Sequence, residues 1–234
     1  MSRRTLRKLH NIFGLVVGIQ VAFWVVSGLF FTLFPIEKIH GTTLRAPVEQ
    51  EILVFDQVQL DAAQAATALG NGTTVKSAML DRFLGEPVWK FETADGVQMV
   101  SATGGELLSP ISPDTARKIA LEGMLPEAGT PSDVWLMMAN PPREYTGPLP
   151  AYVIEYDPSA LRVYIDANTG RLVTVRTNLW RTFDVLWRFH IMDITNENEF
   201  DTWWMKLIAF LSLAMVLTGI VLLIQGLRRG TLFR

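Results

Sequence analysis

Two stretches without a charged residue stand near the ends of the chain, Asn11 to Ile36 and Leu207 to Leu227. At ~1.5 Å per residue they span ~39 Å and ~32 Å as helices, against ~30 Å of bilayer hydrocarbon. Both are apolar on every side, unlike the one-sided helices of a small soluble core. The pattern predicts transmembrane helices over 11–36 and 204–227. The first run is too long for a secretory h-region, and the bulky Thr32-Leu33-Phe34-Pro35-Ile36 offers no small-residue cleavage site, so it reads as a retained signal anchor.

Between them the pattern changes to short alternating runs. Gln59–Leu69 is Ala-rich and helical by propensity. Val75–Phe83, Val88–Thr93 and Val97–Leu107 read as strands, parted by turn signals at Gly85-Glu86-Pro87 and Asp95-Gly96. The order then repeats. Ser112-Pro113-Asp114 caps a helix running to about Gly123. Asp133–Met138, Ala151–Tyr156, Leu161–Ile165 and Arg171–Arg176 follow as strands. Pro87-Val-Trp-Lys-Phe-Glu92 matches Pro150-Ala-Tyr-Val-Ile-Glu155 at an offset of 63, and Val100-Ser-Ala-Thr-Gly-Gly-Glu-Leu107 matches Ile165-Asp-Ala-Asn-Thr-Gly-Arg-Leu172 at 65. Two copies of one α+β unit give nearly constant offsets. The helix starts at Asp61 and Asp114 are only 53 apart, so copy two holds about ten extra residues, assigned to an ordered Pro- and Gly-rich flap over Gly129–Pro150.

Charge orients this plan. The net charge of −2 hides a segregation, because all 23 acids lie between Glu37 and Asp201. Residues 1–36 and 202–234 hold four bases each and no acid, while the middle has 13 bases and is −10. Arg3, Arg4, Arg7 and Lys8 before the first span, and Arg228 and Arg229 after the second, put both termini in the cytoplasm and residues ~37–203 outside, periplasmic in a Gram-negative inner membrane. Lys206 lies on the outer side, where it snorkels. An acidic middle excludes a nucleic-acid binder. The absence of Cys excludes disulfides and thiolate ligation.

The stretch Leu161-Arg-Val-Tyr-Ile-Asp-Ala-Asn-Thr-Gly-Arg-Leu-Val173 resembles the C-terminal hairpin of PepSY domains: a strand, an Asp, a Thr-Gly turn and a second strand. Leu9-His10, Gly14-Leu15, Gly18 and Trp24-x-x-Ser27-Gly28 resemble the leading helix of PepSY-associated transmembrane proteins. Trp187-Arg-Phe-His190, with Thr218-Gly219 in the following span, resembles their later helix. The resemblance implies an α+β fold, two transmembrane helices bracketing an extracytoplasmic region of two PepSY-like units, each with its helix packed on an antiparallel sheet. Larger relatives have four or more spans, and some are linked to siderophore-iron reduction with haem held by intramembrane His. This chain is a two-span minimal version.

All three His lie near a span, and His10, His40 and His190 are the candidate cofactor ligands, as haem-iron ligands only. His10 and His40 are ~45 Å apart on a continuous helix and cannot share a metal within one chain. His40 and His190 lie on the same side and together suit a bis-His b-type haem; His10 needs a second subunit. An interfacial His is also a common amphipathic anchor. Leu179, Phe183, Leu186, Trp187, His190 and Ile191 share one helical face, and Trp180, Trp187, Trp203 and Trp204 form an aromatic belt or a groove wall. Asp193–Asp201 carries four carboxylates and reads as a solvated loop, with weak attraction for a hard cation as the other reading. The Gly14-x-x-x-Gly18 pair predicts close helix packing, with Gln20, Ser212 and Thr218 as cross-helix hydrogen-bond partners. No hydrolase, P-loop or dinucleotide motif is present.

The sequence therefore divides into basic tail 1–10, span 11–36, linker 37–58, first unit 59–111, second unit 112–177, interfacial amphipathic segment 178–203, span 204–227 and basic tail 228–234. Two functions compete. One is a non-enzymatic binding or accessory subunit. The other is a haem b electron-transfer component tied to ferric-siderophore reduction. The expected partners are the lipid bilayer and either a second copy or other membrane or periplasmic subunits.

Overall fold

The computed structural model describes residues 2–47, 53, 55–192 and 202–229. They form two compact units, 1–36 with 182–234, and 37–181.

The first unit is helical. α1 (Arg3–Leu33) is capped by Ser2, whose Oγ accepts from the Thr5 amide, and α6 (Trp203–Arg228) is capped likewise by Thr202. Both are long and apolar enough to cross a membrane, by length and composition. Their apolar surface is bare: Leu15 is 70% and Phe210 68% exposed. α5 (Asn178–Ile191) ends in this unit and runs antiparallel along the later half of α1: Phe183 and Trp187 meet Phe31, and Phe189 stacks on Phe23 at 5.2 Å. The predicted apolar face over 179–191 thus meets α1 through Phe183, Trp187 and His190. The earlier half of α1 pairs with α6 instead. Asp193–Asp201, the acidic run, lies outside the described residues.

The second unit carries the repeat. After α2 (Ile36–Ile39), α3 (Ala62–Ala66) packs on a sheet ordered β1 (Val75–Phe83), β2 (Glu86–Thr93), β3 (Gly96–Ser101). α4 (Pro113–Gly123) packs on a sheet ordered β4 (Thr130–Met137), β5 (Ala151–Asp157), β6 (Leu161–Asp166), β7 (Leu172–Arg176). Every strand pair is antiparallel.

The two copies match in register over β1–β3 and β4–β6, while β7 has only a single bridge, Val100 to Leu107, as its counterpart. Trp89 pairs with Val100, and Tyr152 with Ile165. The first strand of each sheet bulges at one place, between Val75 and Ser77 and between Pro131 and Asp133. Ser101 and Asp166 head the two turns. Ser101 Oγ accepts from the Thr103 and Gly104 amides; Asp166 accepts from the Asn168 amide and the Thr169 hydroxyl. Gly105 and Gly170, both left-handed, donate back to Ser101 and Asp166. Ala102 donates to the Pro87 carbonyl and Ala167 to that of Pro150, 3.0 Å in both.

Each sheet buries its helix on the same face. In copy one, Phe91 and Val100 close over Ala65. In copy two, Ile154 and Ile165 close over Ala116 and Ala120. The opposite face of the first sheet adds Val88 and Met99 to the second core, joining the copies through one apolar cluster. Val88 and Met99 thus bridge from copy one, whereas Trp89 and Phe91 stay with α3.

Several boundaries move. The strand expected over Val97–Leu107 ends at Ser101, where the Ser101-capped turn begins, and Leu107 returns for a single bridge to Val100. The flap expected over Gly129–Pro150 shrinks to 138–150, because Thr130–Met137 forms β4 despite Pro131, which sits at the bulge of an edge strand. The extra residues are therefore split. The helix N-caps, Asp61 and Ser112, are offset by 51, the bulged strands by 56 and the second strands by 63. The 37–58 linker is folded at least in its first part. Ile39 is buried, Leu44 packs on the main core, and Arg45 bridges Met124.

Candidate binding site

The flap lies on the face of the second sheet opposite α4. Tyr145 is buried against Ala151, Val153 and Tyr164, its ring stacked on Tyr164 at 4.7 Å. Glu144, 8% exposed, anchors it. The Tyr164 hydroxyl donates to its carboxylate at 2.6 Å, Arg181 Nε at 3.0 Å and Arg162 Nη1 at 3.3 Å. Arg176 Nε donates to the Glu144 carbonyl at 2.6 Å. Burial pushes the Glu144 carboxyl up, but the bonds from Arg181 and Tyr164 outweigh it and hold it below the usual range. Burial and the same carboxylate drive the Tyr164 phenol up. Sequence reasoning missed Glu144. Its signal was an acid amid Pro-Pro-Arg-Glu-Tyr, inside a segment too irregular for any periodicity to place.

Among the described residues, the corresponding face of the first sheet has no such cover over its outer half. There a cleft of about 830 Å³ opens between the first sheet and the turn of the second copy. Met79, Lys90 and Glu92 line one side; Leu149, Asn168 and Arg171 line the other. Met79 is 57% exposed. Lys90 pairs with Asp81 at 2.6 Å and Glu92 accepts from Ser77 at 3.2 Å. Burial raises the Asp81 carboxyl, while the bonds from Lys90 and the Arg82 amide bring it below its usual value. The Arg171 guanidinium makes no hydrogen bond or ion pair among the described residues. Glu155 pairs with Arg162, whereas Asp166 is buried and spent on its turn.

The three His occupy separate places. His10 Nδ1 lies 3.1 Å from both the Met215 carbonyl and Thr218 Oγ1. Gly219 makes room, since a Cβ there would stand 3.1 Å from the His10 ring. His190 Nδ1 lies 2.7 Å from Ser27 Oγ, its ring stacked with Trp187, and Trp24 Nε1 donates to the His190 carbonyl at 2.6 Å. Ser27 is 17 residues beyond His10 on α1, ~25 Å along the axis. One chain therefore does not bring His10 and His190 to one iron, and these two residues do not fit a shared haem. His40 is exposed beyond α2 in the other unit. Among the described residues no group of three or more His, Asp or Glu is placed to hold a metal.

The other helix contacts differ from expectation in detail. Gln20 donates to the Phe189 carbonyl of α5 at 3.1 Å rather than across to α6. Gly14 faces Met215, while a Cβ at Gly18 would meet nothing within 4 Å. Trp180 carries the Arg176 guanidinium over its ring at 4.3 Å.

The family of PepSY domains, described as "Peptidase propeptide and YPEB domain", matches residues 110–176. That stretch starts just before the Ser112 cap and ends with β7, so it covers α4, its sheet and the flap. Residues 110–176 are a PepSY domain, flanked by the two apolar helices. No curated protein and no solved structure matches the chain.

Proposed function

We propose that this is a membrane-tethered, non-enzymatic binding or accessory protein, whose two spans hold a pair of PepSY-like units in the periplasm. The observation that carries the reading is a PepSY domain, preceded by a three-stranded unit of matching register and bracketed by two helices with bare apolar surfaces. Such surface is stable against lipid and costly against water. The basic flanks of both helices support cytoplasmic termini in an inner membrane. The cleft beside Met79 and Arg171 supplies a surface for a partner.

The alternative reading keeps a b-type haem on His40 and His190; His10 enters it only with a second subunit, because Ser27, which His190 contacts, lies ~25 Å beyond His10 along α1.

The chain has no Cys, so single-Cys variants report cleanly. Ser132→Cys should react with a membrane-impermeant maleimide in cells with a permeabilised outer membrane, while Ser2→Cys should react only after lysis. Labelling of Ser2→Cys in intact cells, or recovery of the chain in the soluble fraction, would sink the tether. An absorption spectrum of detergent-purified chain from haem-replete cells should lack a Soret band. A stoichiometric band abolished by His190→Ala would favour the electron-transfer reading instead.

A further inference from the structure

The second sheet shows what covers its free face: an irregular strap, 138–150, that inserts Tyr145 and fixes Glu144 on arginines. In the first copy the same connection is only Leu84 and Gly85, between β1 and β2. The matched face positions of the first sheet are Val88 for Ala151, Lys90 for Val153 and Met99 for Tyr164, by the register that pairs Trp89 with Val100 and Tyr152 with Ile165. Val88 and Met99 are covered by the second copy. Met79 and Lys90 instead border the cleft, whose far wall carries Leu149, the end of the existing strap, and Arg171.

We infer that the cleft is the seat for a strap supplied from outside: an extended, proline-containing peptide segment of a partner, with an acidic side chain directed at Arg171. Two observations select this occupant. The chain already seats such a segment on the equivalent face of its other copy. Charge gives the second: Lys90 is paired with Asp81 and Asp166 is spent on its turn, while the Arg171 guanidinium makes no hydrogen bond or ion pair among the described residues, at an opening where Met79, Phe83, Leu84 and Leu149 supply apolar surface and Glu92 lies on the opposite wall. A carboxylate answers it, in the way Glu144 answers Arg162 and Arg181. Peptides held in this manner gain affinity from a few apolar anchors and specificity from the charge. The inference deepens the binding-protein reading and rests on it.

The test uses the full chain in detergent and a fluorescent, acetylated heptapeptide with the sequence of residues 144–150, Glu-Tyr-Thr-Gly-Pro-Leu-Pro. Anisotropy should show saturable binding, weakened at least tenfold by Met79→Arg and by Arg171→Glu. A peptide with Lys in place of its Glu should bind wild type at least tenfold more weakly and regain affinity on Arg171→Glu. This charge swap separates recognition from any folding defect of a variant. Glu144→Gln loosens the resident strap; a gain of affinity there would mean that the peptide invades the second sheet. That gain, absence of saturable binding, or binding that neither Met79→Arg nor the charge swap alters would each overturn the inference. The maleimide pattern is read on the same protein, so a correctly inserted chain that ignores the peptide refutes the strap seat alone.

Discussion

Trp89 and Tyr152 do the same work in successive sheets. Trp89 Nε1 donates to the Leu60 carbonyl and the Tyr152 hydroxyl to the Ile111 carbonyl, each at 2.9 Å. Leu60 and Ile111 are the residues just before the N-caps of α3 and α4, and they also donate to the matched carbonyls of Ala102 and Ala167. Each aromatic side chain thus ties its sheet to the entry of its helix. Different chemistry, an indole and a phenol, fills one geometric role.

Removing that tie should cost stability in both copies. Tyr152→Phe strands a buried carbonyl and should destabilise by about 1–2 kcal/mol. Trp89→Phe loses the same bond and also vacates ring volume packed near Phe91, so it should cost more. Urea unfolding of the detergent-solubilised chain, followed by near-ultraviolet circular dichroism, measures both. No change in either midpoint would contradict the shared role.

The two turn glycines should respond differently. Gly170 has φ +66°, and a Cβ there runs into the Phe83 ring, where the copies meet. Gly105 has φ +80°, but its added Cβ meets only the tip of Leu60 at 3.0 Å. Gly105→Ala should cost about 1 kcal/mol from backbone strain, and Gly170→Ala about 2–3 kcal/mol, since overpacking adds to it. Equal shifts in melting temperature would argue against a tight seam at Phe83.

Acid should loosen the strap. The folded carboxyl of Glu144 lies below its ordinary value of 4.5, so the unfolded chain binds its proton more tightly. Its contribution is therefore complete above that value and is lost as pH falls through the lower folded one. Hydrogen exchange of residues 138–150 should speed up at pH 3 relative to the rest of the second sheet. Glu144→Gln should show fast exchange already at pH 7, with a stability loss of about 1–2 kcal/mol, tempered because Arg162 and Arg181 are about a third exposed. A variant with wild-type protection at pH 7 would refute the anchor.

His10 should act as a helix-packing residue. His10→Ala and Thr218→Val should each weaken the α1–α6 contact, with a coupling of ~0.6 kcal/mol in a double-mutant cycle. Additive effects would show that the 3.1 Å contact carries no energy.

Most of the architecture was legible because it rests on local signals. β1 falls on its predicted span, and the offsets of 63 and 65 between Pro87 and Pro150, and between Val100 and Ile165, reappear as matching registers. What was hidden depends on tertiary partners. Periodicity cannot place Glu144, because its partners Arg162, Tyr164 and Arg181 come from β6 and α5 and meet it only after folding. Pro131 masked the start of β4, since a bulge that tolerates proline leaves no pattern of its own. Among the His, the distance between His10 and His40 was readable from helix length. Their hydrogen-bond partners, Thr218 for His10 and Ser27 for His190, were not, because they follow from α5 lying along the far half of α1 and α6 along the near half.

Two hairpins of matching register in one chain invite mispairing while the chain is still open. The unequal connections guard against it. Two residues join β1 to β2, whereas thirteen, 138–150, join β4 to β5. Closing the longer loop costs ~1.7 kcal/mol more in chain entropy. The first hairpin therefore zips early and takes its strands out of competition before the second can recruit them. Shortening 138–150 to a two-residue turn would erase that timing, and crossed pairing between copies, followed by exchange of strands between molecules, is the failure to expect.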